Sequence, residues 1–149
     1  MGNEQGEKEA MLARKKEGKL KAYDTVYSIT DAVERFEYAL ELADFLERQA
    51  SEKAIICTSL VWLYRDLRDQ RSEMQYMQMA VKYFILAIQN EKPPYSGYDE
   101  GRVKLIVGEF FRRLGKKEEA RRWIANVILD PLSLPQHKER GLEIKELLM

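Results

Sequence analysis

An all-α fold is what this sequence predicts, on three observations. From Ser28 almost to the C-terminus, apolar residues recur at the spacing of a helix face. No stretch alternates apolar and polar residues between hairpin turns, so strands have no signal. Three segments also repeat one stripe: Ala32, Phe36, Ala39 and Leu40; Ala80, Phe84, Ala87 and Ile88; and Ala120, Ile124, Val127 and Ile128. A small residue, a large one a turn later and then a smaller one let a neighbouring helix approach closely and interlock.

The elements are read in order along the chain. Residues 1–21 are mostly Glu, Lys and Gly, which predicts a polar linker or frayed helix, leaving 22–149 as one helical domain. A first helix is expected over about Asp31–Arg48, with Thr30 as N-cap. A second, over about Glu52–Asp69 and capped by Ser51, is apolar around most of its circumference and so predicted to be central. The third spans about Ser72–Asn90. Pro93, Pro94 and Gly97 then break the chain. A fourth helix, about Asp99–Leu114, ends at Gly115 as a C-terminal cap. The fifth runs about Lys116–Leu129 and stops before Pro131. Pro135 opens a sixth, since a missing N–H costs nothing in a first turn.

Composition excludes several function classes. Across 149 residues, 45% hydrophobic and 34% charged side chains suit a folded domain whose core needs neither metal nor disulfide. The net charge of zero gives no bulk attraction to nucleic acid or anionic membrane. The charge is nonetheless uneven. Between Asp31 and Glu47 six acids face Arg35 alone, and between Arg102 and Arg122 eight bases face three acids. The basic cluster Arg112, Arg113, Lys116, Lys117, Arg121 and Arg122 joins one helix end to the next start, where Glu118 and Glu119 follow. Both signs complement helix dipoles, so no nucleic acid is expected. No apolar leader or membrane span is visible, and a cytoplasmic location is the expectation.

Chemistry-bearing motifs are lacking. Cys57 is the one cysteine and sits in an apolar run, as a buried inert thiol would. His137 is the one histidine, expected to be exposed, without partners for a metal site or a triad. There is no phosphate loop, dinucleotide fingerprint or nucleophile elbow. No catalytic residue, metal or cofactor is assigned, and the chain is not expected to be an enzyme. Met74, Met77 and Met79, with Tyr76 and Tyr83, are read as core filling.

Around the third stripe more of a pattern appears. Gly108 and Phe111 precede Ala120, Leu114-Gly115 makes the turn, and Pro131 follows. Residues 101–131 resemble a tetratricopeptide repeat, and Trp62-Leu63-Tyr64-Arg65 through Ala87 is similar with about one extra helical turn. Tyr23 to Leu40 matches in its second helix only. Asp31-Ala32 with Tyr38-Ala39-Leu40, Val61 to Asp66, and Val107 to Gly115 with Glu119 to Trp123 also resemble an uncharacterised bacterial family. That family joins a cysteine-rich, zinc-ribbon-like N-terminal region to a tetratricopeptide-like helical half. The resemblance covers about residues 28–130. The cysteine pairs are absent here, so this chain corresponds to the helical half.

The resemblance implies degenerate helical hairpins stacked as a short right-handed αα superhelix. Its concave groove, lined by the first helix of each repeat, would bind a peptide or partner protein. Register from Gly108 places Arg102, Leu105, Glu109 and Arg112 on that face. Register from Tyr64 places Ile55, Thr58, Trp62 and Arg65 on the matching face of the preceding repeat. An aromatic flanked by arginines suits an acidic or carboxylate-ended peptide. The partner-binding set is therefore Thr58, Trp62, Arg65, Arg102, Glu109 and Arg112. The alternative is a homo-oligomerisation or structural domain of a larger, zinc-binding bacterial regulator, pairing its apolar ends with a second copy.

Overall fold

The computed structural model describes residues 22–149, with side chains from residue 28 onward. The predicted linker over residues 1–21 lies outside the described residues. Six helices follow one another: α1 (Ala22–Phe45), α2 (Ala50–Asp66), α3 (Gln70–Asn90), α4 (Glu100–Arg113), α5 (Lys117–Leu129) and α6 (Pro135–Leu147). Among the described residues no strand forms, and Tyr95 and Tyr98 make an isolated bridge in the α3–α4 loop. The fold is all-α. Each helix packs on its successor in the chain, and α4 also meets α6. The result is a row of antiparallel hairpins rather than a bundle around one axis.

Two of the three repeated stripes form the centre. Ala80, Phe84 and Ala87 of α3 are completely buried, and so is Ala120 of α5, with Ile124 and Val127 almost so. They join Ala54, Cys57, Leu60 and Val61 of α2 and Val103, Val107 and Phe110 of α4 in one core. The stripe expected on α1 is displaced. Val33, Leu40 and Ala43 are its buried residues, whereas Ala32 and Ala39 are half-buried. This face packs on α2 and reaches α3 only through the Glu37–Tyr76 hydrogen bond, which narrows the surface it must bury.

Gly108 shows why the α4–α5 hairpin is tight: a Cβ there would stand 2.5 Å from Ile124 Cδ1 and 2.9 Å from Cγ1. The bare Cα lets the Ile124 side chain lie directly against the backbone of α4.

Helix ends account for most boundary differences. Gly115 adopts the left-handed conformation (φ +81°) as predicted, and Lys116 N–H closes the turn on the Phe111 carbonyl. The same closure ends α1 at Glu47 (φ 53°) and α2 at Arg68 (φ 58°), with Arg48 N–H on Ala43 O and Asp69 N–H on Tyr64 O. Without glycine to mark them, these two stops lie about three residues earlier than expected. Thr30 is not a cap, because α1 already begins at Ala22. Ser51 is not a cap either. It lies fully buried in the first turn of α2, where the Glu91 carboxylate accepts its backbone N–H (3.1 Å) and its hydroxyl (2.6 Å). A carboxylate forty residues away thus satisfies the donors that a local cap would have taken. Asp69 and Asp99 are true N-caps, accepting from Ser72 and Arg102 N–H.

Candidate functional site

Helical register brings α2 and α4 together at one exposed aromatic. Trp62 is 45% exposed, well above what a core tryptophan shows. One side of its ring tilts against the buried Phe110 ring of α4, with centroids 6.4 Å apart. The guanidinium carbons of Arg65 and Arg113 each lie 5.7 Å from its centroid. A half-open indole with two cations over its faces forms a small platform, apolar at the centre and positive at the edge.

Arg113 is held there by a second contact. Its Nη2 donates to the Glu73 carboxylate of α3, and Glu73 is a buried residue. Its Nη1 is buried and makes no hydrogen bond within the protein. Arg65 carries no such anchor, and its side chain stays exposed beside the indole.

The remaining expected residues divide. Arg112 binds Glu109 through two parallel hydrogen bonds of 3.0 and 2.6 Å. That hydrogen bond holds the guanidinium pKa above its ordinary value, so its fork is already filled by a carboxylate of its own helix. Arg102 stacks over Tyr98 at 3.7 Å. It sits ten residues before Arg112, about 15 Å along the helix at the usual rise. Thr58 is buried, its hydroxyl donating to the Ala54 carbonyl, and presents nothing to a partner. Leu105, on the expected stripe, is also buried. On the expected stripe of α4, then, Arg102 is exposed, Glu109 and Arg112 are half-buried and bound to each other, and Leu105 is enclosed.

Of the expected residues, the structure sets Trp62 and Arg65 side by side, and beside them it places Arg113 and its anchor Glu73, which the sequence did not single out. Arg113 was legible as one base of a cluster, but nothing local links it to a glutamate forty residues earlier.

Other candidates resolve simply. Cys57 is fully buried, and desolvation, with a smaller push from Asp44, raises its thiol to about 12. The expectation of an exposed His137 is corrected. Its side chain is 12% exposed, packs on Gly101 and places Nε2 3.6 Å from Asp99 Oδ1, because α6 folds back across the start of α4. Met77 fills the core, Met79 is half-buried and Met74 is exposed. Glu37 of α1 accepts from the hydroxyls of Tyr64 and Tyr76, both at 2.9 Å, whose rings stack 5.6 Å apart. No group of three or more His, Cys, Asp or Glu among the described residues is placed to hold a metal ion. No helix described is long and apolar enough to cross a membrane.

Comparison with known proteins gives one match. The model of a family described as "Uncharacterized protein conserved in bacteria (DUF2225)" matches residues 3–146. No curated protein and no solved structure matches the chain.

Proposed function

The chain belongs to this family of uncharacterised proteins conserved in bacteria, and from that premise we propose that it is a protein–protein recognition module acting through the face shared by α2 and α4. The observation that carries the reading is the Trp62 platform. An indole left 45% exposed between two guanidinium groups offers the residue types that dominate binding hot spots, an aromatic face bordered by arginines. Its chemistry fits an extended segment that places an apolar or aromatic side chain on the indole and a carboxylate beside Arg65. No reaction is assigned to the face.

On this reading α2–α3 and α4–α5 are two tetratricopeptide-like units, α1 is the second helix of a preceding half-unit, and α6 caps the row. The Gly108–Ile124 contact, the Leu114-Gly115 turn and the fully buried Ala120 support it. A cytoplasmic setting, and a zinc-ribbon-like region in longer relatives, belong to the same proposal.

The test is capture from bacterial lysate on the immobilised chain, beside a Trp62→Ala/Arg65→Glu variant and an Arg102→Glu control. Loss of a central aromatic anchor typically costs about 2 kcal/mol or more, roughly thirtyfold in affinity. A protein kept by the wild type and the control but lost by the double variant is the expected result. Equal retention by all three removes the Trp62 platform as the binding site.

A further inference from the structure

Two apolar surfaces lie away from the Trp62 face, and they complement each other. On α1, Tyr38, Leu42 and Phe45 are exposed, Phe45 by 83%, and their spacing sets them along one side of the helix. Leu46, also exposed, widens the stripe. Glu34 and Glu41 flank it. Both are exposed, and neither pairs with a described cation, whereas Asp44 is taken by Lys53. The stripe is apolar, with Glu34 and Glu41 along one edge and the Asp31–Arg35 ion pair at its N-terminal end.

At the other end of the row, α5 and α6 bound an open apolar groove of about 250 Å³. Ile124 and Leu148 form its buried base, and Leu129 and Met149 stand exposed at its rim. Its charged groups are Arg121 and Lys145, and no acidic side chain lines it. Arg121 is held in place by Glu118 (2.5 Å) and by the Leu148 carbonyl (3.0 Å). Lys145 pairs with no described carboxylate.

We infer that this groove takes the α1 stripe of a second copy of the chain, so that copies associate head to tail. A helix offering side chains at Tyr38, Leu42 and Phe45 is the shape that an apolar groove between two helices accepts. Glu34 and Glu41 bring negative charge to the exposed Lys145 ammonium at the rim, Arg121 being already paired with Glu118. Desolvating Phe45 and Leu129 together supplies an apolar contribution that neither exposed side chain gains among the described residues. The two surfaces sit at opposite ends of a sequential row, α1 touching α2 and the groove lying between α5 and α6. The contact therefore joins unlike patches, and each added copy presents a fresh stripe or groove, so association runs on past the dimer. The inference is independent of the Trp62 platform, which neither surface includes.

Sedimentation velocity of the full chain over a concentration series tests it, using wild type, Phe45→Glu, Leu129→Glu and an equal mixture of the two variants. Wild type is expected to gain mass with concentration beyond the dimer. Each variant alone stays monomeric, because every contact lacks one intact face. The mixture forms a one-to-one dimer and stops there, since the Leu129→Glu copy still offers a stripe and the Phe45→Glu copy still offers a groove. Both positions are exposed, so helical circular dichroism should be unchanged. Tyr38→Glu and Met149→Glu repeat the experiment at the same two faces. A wild type that remains monomeric throughout overturns the proposal, and so does a variant that associates like wild type or a mixture that does not dimerise.

Discussion

Cys57 and Trp62 stand five residues apart on α2 and have opposite fates. The thiol is completely enclosed and the indole is nearly half open. A fifth residue along a helix points about 140° away, so one helix turns the first into the core and the second toward solvent. Burial disfavours the thiolate and raises the Cys57 pKa from 9.0 to about 12. The folded state thus holds the thiol proton more tightly than the unfolded state. The stability this contributes is fully present below pH 9 and is lost as pH rises through about 12. An aromatic disulfide reagent should therefore release no colour from the native chain at a pH where a free thiol reacts. In denaturant it should release one equivalent per chain, because Cys57 is the only cysteine. Rapid reaction of the native protein would mean that α2 opens readily.

Between elements, Gly108 permits a close approach of α4 and α5. Gly108→Ala gains helix propensity, and the Ile124 side chain can turn aside from one methyl group. Gly108→Val adds two more methyl groups against Ile124, with Trp123 Cβ also only 3.5 Å from the position of the new Cβ. It should lower stability by about 1–3 kcal/mol, measured by urea denaturation with an unchanged slope. A neutral Gly108→Val would show that the hairpin does not depend on the small residue. Element ends were partly legible for a related reason. Gly115 and Pro135 announce themselves, whereas Glu47 and Arg68 adopt the left-handed turn with side chains that carry no such signal. Ser51 misled because a serine before an apolar run is the ordinary cap pattern, and the group that serves α2 is Glu91, from beyond α3.

Across the whole molecule, the Glu73–Arg113 pair ties α3 to α4 beneath the Trp62 platform. Arg113→Ala strands the Glu73 carboxylate in a buried position and should cost about 3–5 kcal/mol. Glu73→Leu with Arg113→Met removes both charges, along with a guanidinium nitrogen that has no hydrogen bond within the protein. The double variant should recover most of that loss in thermal or urea denaturation. Strictly additive losses would show that the two groups do not act as a pair. Because Arg113 also overlies Trp62, the double variant should weaken partner capture even where it folds as well as wild type.

The sequence by itself determined that the chain is helical, roughly where its helices lie, which stripes of α3 and α5 are buried, and that Cys57 is interior. All of these depend on periodicity and local chain stiffness, which a linear pattern records. It also placed Trp62 and Arg65 together, one turn apart on one helix. Only the tertiary structure decided that Thr58 is enclosed, that Arg112 is already paired with Glu109, that Arg102 belongs to Tyr98, and that Arg113 completes the platform through Glu73. The difference has a physical cause. A helix's buried stripe can be read from its own residues to within about a third of a turn. Which polar groups remain free on its open side depends on rotamer choices among near neighbours, as for Arg112 with Glu109 and Arg102 with Tyr98, and on groups brought in from other elements, as Glu73 is for Arg113.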